Sequence, residues 1–496
     1  MAQARIILAL NIQFDLSHVS LSMKRFHGLM RGFVALVIVS AIGLLARLLL
    51  EVPYPPQELF NRLSQFMGTP SMFQLVHRFL GYGVAGKVFA FAGSFGIWLV
   101  VLSLFGILRP WLSSLLVGLV CLLLVPAWVA LGTALVYFLV RLGLERPQLG
   151  DSVRLDRRNA LGWLTLGSGL LVGGGATSLL QYTFGSSNNA GSKTLTALGN
   201  GKNLPSGITP QADFYSISKN LEAFDPKLTA EKWRLQVTGL VKAPRTYTLA
   251  ELQAKPRNDL EATMVCISNA VGGGLIGNAI WNGFRLRDLL QEVGIQPAAR
   301  FINWKAADGY TESIPLAQAL EDDVLLVYGM NNEALSQKHG FPLRVLIPGR
   351  LGMKQPRWIT EIALSDKEII GYWVERGWSR SAYAHTMSRI DSPDELAVDL
   401  KASSIKEMNG IAFAGSKTIS KVEVSVDGGQ SWLEAELIPR RSKHAWQQWR
   451  SPWTPKAGSH QLAVRAYADG VLQSEEERDA LPEASSGWHH FITNLA

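Results

Sequence analysis

Long apolar runs with few charged side chains dominate the first 182 residues of the chain. A helix that spans a bilayer needs about 20 mostly apolar residues, and these runs meet that length. A buried core helix would show a polar face, and Val88–Leu108 has none. The pattern therefore predicts an N-terminal segment at 1–30 and a membrane region at 31–184. Its four transmembrane helices are expected at 33–50, 88–108, 111–140 and 161–184, with the third tilted or kinked at Pro126.

Beyond the apolar runs, the pattern becomes that of a soluble α+β domain. Residues 185–212 are rich in Gly, Ser, Asn and Thr, which is typical of a flexible tether. Short apolar strands then alternate with short helices and Gly/Pro loops, which indicates an α+β domain at 213–387. The strands are expected at Trp233–Gly239, Phe301–Trp304, Val324–Tyr328 and Leu343–Ile347, and the helices at Leu249–Gln253 and Leu286–Val293.

The last part of the chain, 388–496, has the pattern of a β-sandwich. Ile419–Val426 alternates apolar and polar residues, and Asp427-Gly428-Gly429 can form a hairpin turn with positive φ. Further strands are expected at Trp432–Ile438 and His460–Tyr467. Short strands at this spacing indicate an immunoglobulin-like sandwich. The predicted fold is multidomain: all-α transmembrane helices, an α+β domain and an all-β immunoglobulin-like domain.

The net charge of +8 is explained by topology and does not indicate nucleic-acid binding. The soluble half has no run of Lys or Arg and no zinc-finger or RNA-recognition signature. Much of the excess positive charge flanks the apolar segments, at Lys24, Arg25, Arg31, Arg141, Arg146, Arg154, Arg157 and Arg158.

The arginine-rich stretch from Arg141 to Arg158 predicts a cytoplasmic loop and an extracytoplasmic location for residues 190–496. Arg157-Arg158 before an apolar stretch also resembles a twin-arginine export signal, although it lacks the preceding Ser or Thr and the following Phe. Lys24 and Arg25 favour the opposite orientation. We expect a multi-pass membrane protein whose C-terminal half, residues 190–496, lies outside the cytoplasm.

The chain has only two cysteines, and Cys121 lies in a hydrophobic segment, so no disulfide framework accounts for Cys266. Cys266 could be an inert core residue, a nucleophile or a metal ligand. The following Ser268, Asn269 and Gly272–Gly274 form a loop whose backbone can approach a bulky ligand. A thiolate suits a redox metal, whereas a nucleophile would need a base, and no cysteine-protease signature is present.

A series of motifs in one order resembles the sulfite oxidase family of molybdopterin enzymes over roughly 210–496. Val265–Asn269 surrounds the cysteine, and Val422–Gly429 with Gly487–His489 resembles the C-terminal dimerisation-type domain of that family. The other matching pieces are Asp213–Tyr215, Trp233–Gly239, Ile280–Gly283, Leu286–Leu290, Ala307–Tyr310, Leu325–Asn331, His339–Arg344, Pro348-Gly349 and Arg357–Ile359.

The resemblance implies a Mo-molybdopterin cofactor with Cys266 as the protein thiolate on the metal, and Ser268 and Trp378 at catalytic positions. Arginines suit phosphate because they are planar, permanently charged donors. In isolation, Arg344 could be an ordinary strand-flanking charge, and Asp288 a solvated helix residue. The residues implied to hold the pterin and its phosphate are Phe214, Tyr215, Ser216, Asp288, His339, Arg344, Gln355, Pro356 and Arg357.

Several positions depart from the family pattern near the substrate. Ile217 or Ser218 stands where sulfite oxidases have an arginine, and Asn269–Gly273 replaces the arginines after the cysteine. Without that positive cluster, a dianion such as sulfite loses its main attraction. Trp378 occupies the place of the active-site tyrosine of the family. The usual hydroxyl is therefore missing unless Tyr383 supplies it. Ser268 stands where the methionine sulfoxide reductase branch has Glu.

The leading prediction is a membrane-anchored molybdopterin oxidoreductase that performs two-electron oxygen-atom transfer on a small oxo donor or acceptor. One alternative is a reductase of S-oxide or N-oxide compounds, and another is a non-catalytic binding protein with a degenerate pocket. The chain has no haem-attachment motif or ferredoxin cysteine spacing, so the electron carrier is expected to be separate, a quinone or a membrane cytochrome. A homodimer formed through the immunoglobulin-like domain is a further expectation.

Overall fold

The computed structural model describes residues 16–50, 52–66, 84–145, 207–220, 222–393, 395 and 400–496. They fall into two units, a helical one drawn from 1–67 and 85–181, and a β-rich one drawn from 68–84 and 182–496. The predicted fourth span at 161–184, the twin-arginine motif and residues 185–206 of the predicted tether lie outside the described residues.

The described part of the helical unit has five α-helices and one 3-10 turn. The predicted spans at 33–50 and 88–108 coincide with helical segments of the chain. The helices are α1 (Leu16–Leu50), α2 (Pro55–Phe66), α3 (Val84–Ser103), α4 (Pro110–Leu122) and α5 (Ala127–Glu145), with the 3-10 turn at Leu104–Ile107.

The prediction of one kinked span at 111–140 is wrong, because two helices occupy this stretch. Helix α4 closes with the amide of Val125 donating to the carbonyl of Cys121 at 2.9 Å, and α5 begins after Pro126. Proline has no amide hydrogen and a fixed φ, so it ends one helix and suits the start of the next. Helix α5 runs back along α4, since Arg141 near its end donates to the carbonyl of Gly106 at 3.0 Å.

The β-rich unit begins with an α+β domain of ten strands and three short α-helices. The helices are α6 (Leu249–Gln253), α7 (Leu286–Val293) and α8 (Leu316–Ala319). The strands are β1 (Leu235–Gly239), β2 (Arg245–Tyr247), β3 (Asn258–Val265), β4 (Ile276–Arg285), β5 (Phe301–Ala306), β6 (Thr311–Pro315), β7 (Leu325–Met330), β8 (Glu333–Ala334), β9 (Arg344–Leu346) and β10 (Ile359–Ser365).

These strands form two sheets. One has the order β2-β1-β10-β5-β6, with β1 parallel to β10, and its core includes Trp304 and the buried leucines of α7. The other has the order β3-β4-β7-β8, with β9 also paired to β7. Strand β3 is antiparallel to β4 up to the pair Val265↔Ile276. Cys266 is therefore the first residue of the loop that joins them.

The predicted sandwich is present, as two sheets that share a core around the fully buried Trp449. Their orders are β11-β12-β16-β15 and β14-β13-β17-β18, with β19 paired to β17. The strands are β11 (Met387–Ser392), β12 (Glu407–Phe413), β13 (Ile419–Ser425), β14 (Leu433–Glu434), β15 (Glu436–Leu437), β16 (Gln447–Pro452), β17 (Gly458–Ala468), β18 (Val471–Leu472) and β19 (His489–Leu495).

Two details of the β-rich unit differ from the sequence-based expectations. The single strand predicted at Trp432–Ile438 is divided, because β14 pairs with one sheet and β15 with the other. The tether predicted to reach 212 ends earlier: the backbone amide of Thr209 donates to the carbonyl of Asn278 at 2.8 Å, and the side-chain amide of Asn331 donates to the carbonyl of Thr209 at 2.9 Å. The chain is therefore packed onto β4 from about residue 207.

Candidate functional site

Cys266 lies in the β3–β4 loop with its side chain almost enclosed, at 9 % exposure. Its amide donates to the carbonyl of Leu275 at 2.9 Å, which extends the β3–β4 pairing by one step. Its Sγ lies 3.1 Å from the hydroxyl of Ser268. A hydroxyl at this distance can donate to a thiolate, and a charge-assisted hydrogen bond of this kind stabilises the anion.

The loop after Cys266 is braced by Asn269. Its amide donates to the carbonyl of Cys266 at 3.1 Å, and its side-chain oxygen accepts from the amide of Leu275 at 2.7 Å. A β-carbon on Gly273 would lie 2.8 Å from the same oxygen, so glycine is required there. The polar groups of the loop therefore brace the segment that carries the thiol from within.

Phe214 and Tyr215 form an aromatic wall in the cluster that contains Cys266. Their rings stack at 5.4 Å, and Phe214 also meets the rings of Trp281 and His339 edge-on. The hydroxyl of Tyr215 is buried and has no hydrogen-bond partner among the described residues. Burial, and then the negative charge of Cys266, raise the pKa of Tyr215 well above its usual value, so its hydroxyl stays protonated.

Arg344 is a buried cation, and no carboxylate of the described residues pairs with it. It donates to the carbonyl of His339 at 3.1 Å and to the sulfur of Met264 at 3.1 Å, and its guanidinium lies over Trp281. Its Nε is buried without a partner among the described residues. Burial, and then the charge of Arg357, lower the pKa of Arg344 to about 9.

Arg357 is the second cation of the group. It donates to the hydroxyl of Ser216 at 2.6 Å, to the carbonyl of Ile217 at 3.1 Å and to the carbonyl of Lys338. Burial also lowers the pKa of Arg357. The predicted residues Ser216, Arg344 and Arg357 therefore converge on one region around the His339 segment.

His339 is held neutral at the edge of this region. Its Nε2 donates to the carbonyl of Gln211 at 2.8 Å. Burial, and then the charges of Arg344 and Arg357, lower its pKa to about 3. A neutral imidazole beside two cations avoids a third buried positive charge.

Three other predicted residues have different surroundings. The side chain of Gln355 accepts from the amide of Ile347 at 3.0 Å and donates to the carbonyl of Arg350 at 2.7 Å, so it braces the strand ends. The carbonyl of Pro356 accepts from the amide of Val345 at 3.0 Å. Asp288 is not brought into the group: it lies beside the buried face of α7, 42 % exposed, with Arg287 at 3.5 Å.

Trp378 is buried in a cluster with the flanking residues Val265 and Ile267, so it lies near the cysteine loop. Tyr383 does not supply a buried hydroxyl, because it is 52 % exposed and its ring covers the guanidinium of Arg350 at 3.7 Å. Sequence reasoning missed Tyr310, whose hydroxyl donates to the carbonyl of Met353 at 2.6 Å. Burial, and then nearby acids, raise the pKa of Tyr310, and the Cys266 charge contributes.

A buried ion pair near Tyr310, between Lys354 and Glu312, was also missed. The ammonium of Lys354 lies 2.7 Å from the carboxylate of Glu312, and both side chains are almost fully buried. Burial raises the pKa of Glu312, and Lys354 opposes that rise. The signal in the sequence was Lys354 itself, which directly precedes the predicted residues Gln355, Pro356 and Arg357.

The chemistry of this region fits an anionic group that carries its own metal ligands. A buried guanidinium, a half-buried one and a neutral imidazole suit a phosphate and a heterocycle, and Cys266 supplies a single thiolate. Within the described ranges, no three His, Cys, Asp or Glu side chains come together as a metal site. A metal bound here would need most of its ligands from a cofactor.

Comparison with known families agrees with this chemistry. Residues 222–373 match the oxidoreductase molybdopterin binding domain, and residues 385–475 match the Mo-co oxidoreductase dimerisation domain. These matches confirm the resemblance to molybdopterin oxidoreductases for both soluble domains.

Among curated proteins, the chain is similar to mitochondrial sulfite oxidase of Drosophila melanogaster, with 32 % identity over 49 % of this chain and 50 % of that protein. It is also similar to sulfite oxidase of Arabidopsis thaliana, at 29 % identity over 43 % of this chain and 66 % of that protein. Nitrate reductase of Hordeum vulgare is 27 % identical over 51 % of this chain and 35 % of that protein. The chain thus spans about half to two thirds of the length of the sulfite oxidases it matches.

Among solved structures, the sulfane dehydrogenase SoxCD of Paracoccus pantotrophus shares the fold. The TM-score is 0.53, with 23 % identity over 59 % of this chain and 85 % of that chain. Together, the matches show a sulfite-oxidase-type molybdopterin binding domain followed by a β-rich dimerisation domain.

Proposed function

We propose that this chain is a molybdenum-cofactor-dependent oxidoreductase that is anchored in a membrane and transfers one oxygen atom and two electrons at a metal held by Cys266. The observation that carries the proposal is the enclosed Cys266 thiol, 3.1 Å from Ser268, in a cluster shared with Tyr215, which also feels the charges of Arg344 and Arg357. In the oxidative direction, a substrate and one water would give the oxidised substrate, two protons and two electrons.

When bound, the cofactor supplies a redox metal that exchanges oxygen and electrons with the substrate. Arg344 and Arg357 would bind its phosphate, and neutral His339, whose N–H donates to Gln211, would accept a hydrogen bond at Nδ1 from its ring system. Phe214 and Tyr215 would exclude water from one side. Ser268 would hold Cys266 as a thiolate by donating to its sulfur.

Substrate choice is proposed to differ from that of the sulfite oxidases, because the positions that depart from the family pattern bring little positive charge. Ile217, at the expected arginine position, is 38 % exposed, and its carbonyl accepts from Arg357. Trp378 and Tyr310 add aromatic surface. A panel of sulfite, a sulfane compound, a sulfoxide and an N-oxide, with artificial electron donors and acceptors, would distinguish oxidation from the alternative of S-oxide or N-oxide reduction.

The central test is the molybdenum content of the full chain made in a host that synthesises the cofactor. We expect about one molybdenum per chain, and a Cys266→Ser variant with activity at least about a hundredfold lower and reduced metal retention. Cys121→Ser is the matched control, because Cys121 lies in the helical unit. Molybdenum absent from the wild-type chain would contradict the proposal and favour the non-catalytic binding protein.

Membrane anchoring is supported by the described helices, which expose apolar side chains and bury polar ones. Two of them, Arg25–Arg47 and Ala127–Glu145, are long and apolar enough to span a bilayer. In the most apolar stretch of each helix, only 33 % and 22 % of the residues are buried. A helix in a soluble core would be mostly buried. Large apolar side chains such as Leu131 and Leu135 are exposed, while Ser113 and Arg141 are buried. This distribution suits lipid surroundings.

The anchoring can be tested by extracting membranes with alkaline carbonate. We expect the full chain to stay in the pellet until detergent is added, and release by carbonate would contradict an integral anchor. The extracytoplasmic orientation is proposed from the arginines before residue 160. Arg141 adds little to it, because this side chain is buried and paired with Glu145 at 2.8 Å. A reporter enzyme fused after Ala496 would be active outside the cytoplasm if the orientation is correct.

We further propose a separate electron carrier, a quinone or a membrane cytochrome, and a homodimer formed through the sandwich domain. Anchoring in the bilayer supports the first, and the match to a dimerisation domain supports the second. Reduction of a quinone analogue by purified protein with substrate would test the carrier. Light scattering of the detergent-solubilised protein would test the dimer, and a monomeric mass would contradict it.

A further inference from the structure

We propose that the sandwich domain positions the Cys266 thiol by gripping the loop that follows it. The grip, here termed the loop clamp, consists of Arg389, Ser485 and His489. All three belong to the second domain, more than 100 residues beyond the loop in sequence. The proposal rests on the proposed function only in assigning the metal to Cys266, and the geometry of the clamp stands without it.

Arg389 supplies the charged contact of the clamp. This side chain lies on β11 with 7 % exposure, and its Nη1 donates to the carbonyl of Gly273 at 2.8 Å. Its Nε donates to the carboxylate of Asp391 at 2.5 Å, which fixes the plane of the guanidinium. A buried cation held by a carboxylate and aimed at one backbone carbonyl fixes the position of that carbonyl.

Ser485 supplies a second contact near the other end of the same loop. Its hydroxyl donates to the carbonyl of Asn269 at 2.5 Å. Asn269 in turn donates its amide to the carbonyl of Cys266 at 3.1 Å. One hydrogen bond therefore separates the sandwich contact from the backbone of the cysteine.

His489 closes the clamp by packing under the loop. Its Nδ1 accepts from the amide of Ile390 at 3.0 Å, which orients the ring toward Gly272. A β-carbon on Gly272 would lie 2.2 Å from the ring, and Gly272 has φ of +69°. The loop backbone thus rests directly on the imidazole, in a conformation that favours glycine.

The strand before the cysteine is held by the same domain. The amide of Thr263 in β3 donates to the carbonyl of His444 at 2.9 Å, and its hydroxyl accepts from the amide of Trp446 at 2.7 Å. Arg441 pairs with Glu261 at 2.8 Å. The sandwich therefore contacts the chain on both sides of Cys266, and the thiol position depends on both domains.

The test measures how fast a small maleimide modifies Cys266 in the full chain made without cofactor, in a Cys121→Ser background. Modification requires the loop to open. We expect Arg389→Ala or Ser485→Ala to raise the rate about three- to tenfold, the factor expected when one hydrogen bond is lost from an opening equilibrium. Ser485→Thr keeps the hydroxyl and should restore the slow rate.

Arg465→Ala is the matched control. Arg465 also pairs with a carboxylate of the sandwich, Glu423 at 2.7 Å, but it lies on β17, in a different sheet from the strand β11 that carries Arg389. Its removal should leave the modification rate within about twofold of the parent. Equal rates in the Arg389, Ser485 and Arg465 variants, with all of them folded by circular dichroism, would overturn the proposal. That result would leave the molybdenum test of Cys266→Ser unaffected, so the two proposals can fail separately.

Discussion

Replacing Arg344 with Met should stabilise the cofactor-free protein, or leave it unchanged, and weaken the loaded protein. Burial in the folded protein lowers the pKa of Arg344 from its ordinary value to about 9. Below pH 9 the guanidinium is charged in both the folded and the unfolded state. The folded state then bears the whole free-energy cost of burying the charge. A lowering of this size corresponds to about 5 kcal/mol of lost stability. This destabilisation would be lost only as the pH rose above 9 toward the ordinary pKa of a guanidinium.

Several favourable contacts offset most of this penalty. Arg344→Met would remove hydrogen bonds to the carbonyls of His339 and Gln355 and the contact with Trp281. These losses amount to about 3–5 kcal/mol in total. The expected net change in the cofactor-free protein therefore lies between zero and about 2 kcal/mol of stabilisation. The loaded protein would lose a charge-assisted contact with the phosphate, worth about 1.5–3 kcal/mol.

The assay compares thermal unfolding of the full chain from hosts with and without cofactor synthesis. We expect loading to raise the Tm of the parent by several degrees more than the Tm of Arg344→Met. Arg465→Met is the control, since this arginine pairs with Glu423 and should weaken both forms equally. If Arg344→Met lowers the Tm of the cofactor-free and the loaded protein by the same amount, the inference that Arg344 binds an anionic group of the cofactor is refuted.

Three further predictions follow from the same region. The parent should lose stability between pH 7 and 4.5, because the unfolded imidazole of His339 takes up its proton near pH 6.5 and the folded one only near pH 3. His339→Asn should make this loss smaller by about 2.5 kcal/mol, as measured by urea unfolding. Lys354→Met should destabilise the protein by about 3–5 kcal/mol by leaving Glu312 buried and unpaired, and Lys354→Met with Glu312→Leu should recover most of that loss. Gly272→Ala should cost about 2–5 kcal/mol in chemical unfolding, because the methyl group would overlap the ring of His489 at positive φ; an unchanged midpoint would contradict the packing described for the loop.

Local sequence patterns predicted the parts of the fold that depend on neighbouring residues. The 3–4 spacing of Leu286, Leu289, Leu290 and Val293 determines helix α7, and all four are buried. Asp427-Gly428-Gly429 forms the predicted turn, with φ of +75° and +88° at its glycines. In contrast, the run at 432–438 alternates well enough for one strand, and only the tertiary pairing divides it between two sheets.

For the candidate site, the sequence by itself determined which residue types were available: one cysteine in a glycine-rich loop, the arginines of two spaced motifs, and the apolar lengths of the N-terminal helices. The tertiary structure decided which of them meet. It brought Arg344, Arg357 and His339 together, left Asp288 on the surface, buried Arg141 among helices and placed Arg389 and Ser485 against the cysteine loop. The physical reason is that helix and strand periodicity act over a few residues, whereas a hydrogen bond between residues 269 and 485 depends on how two domains pack, which no local pattern records.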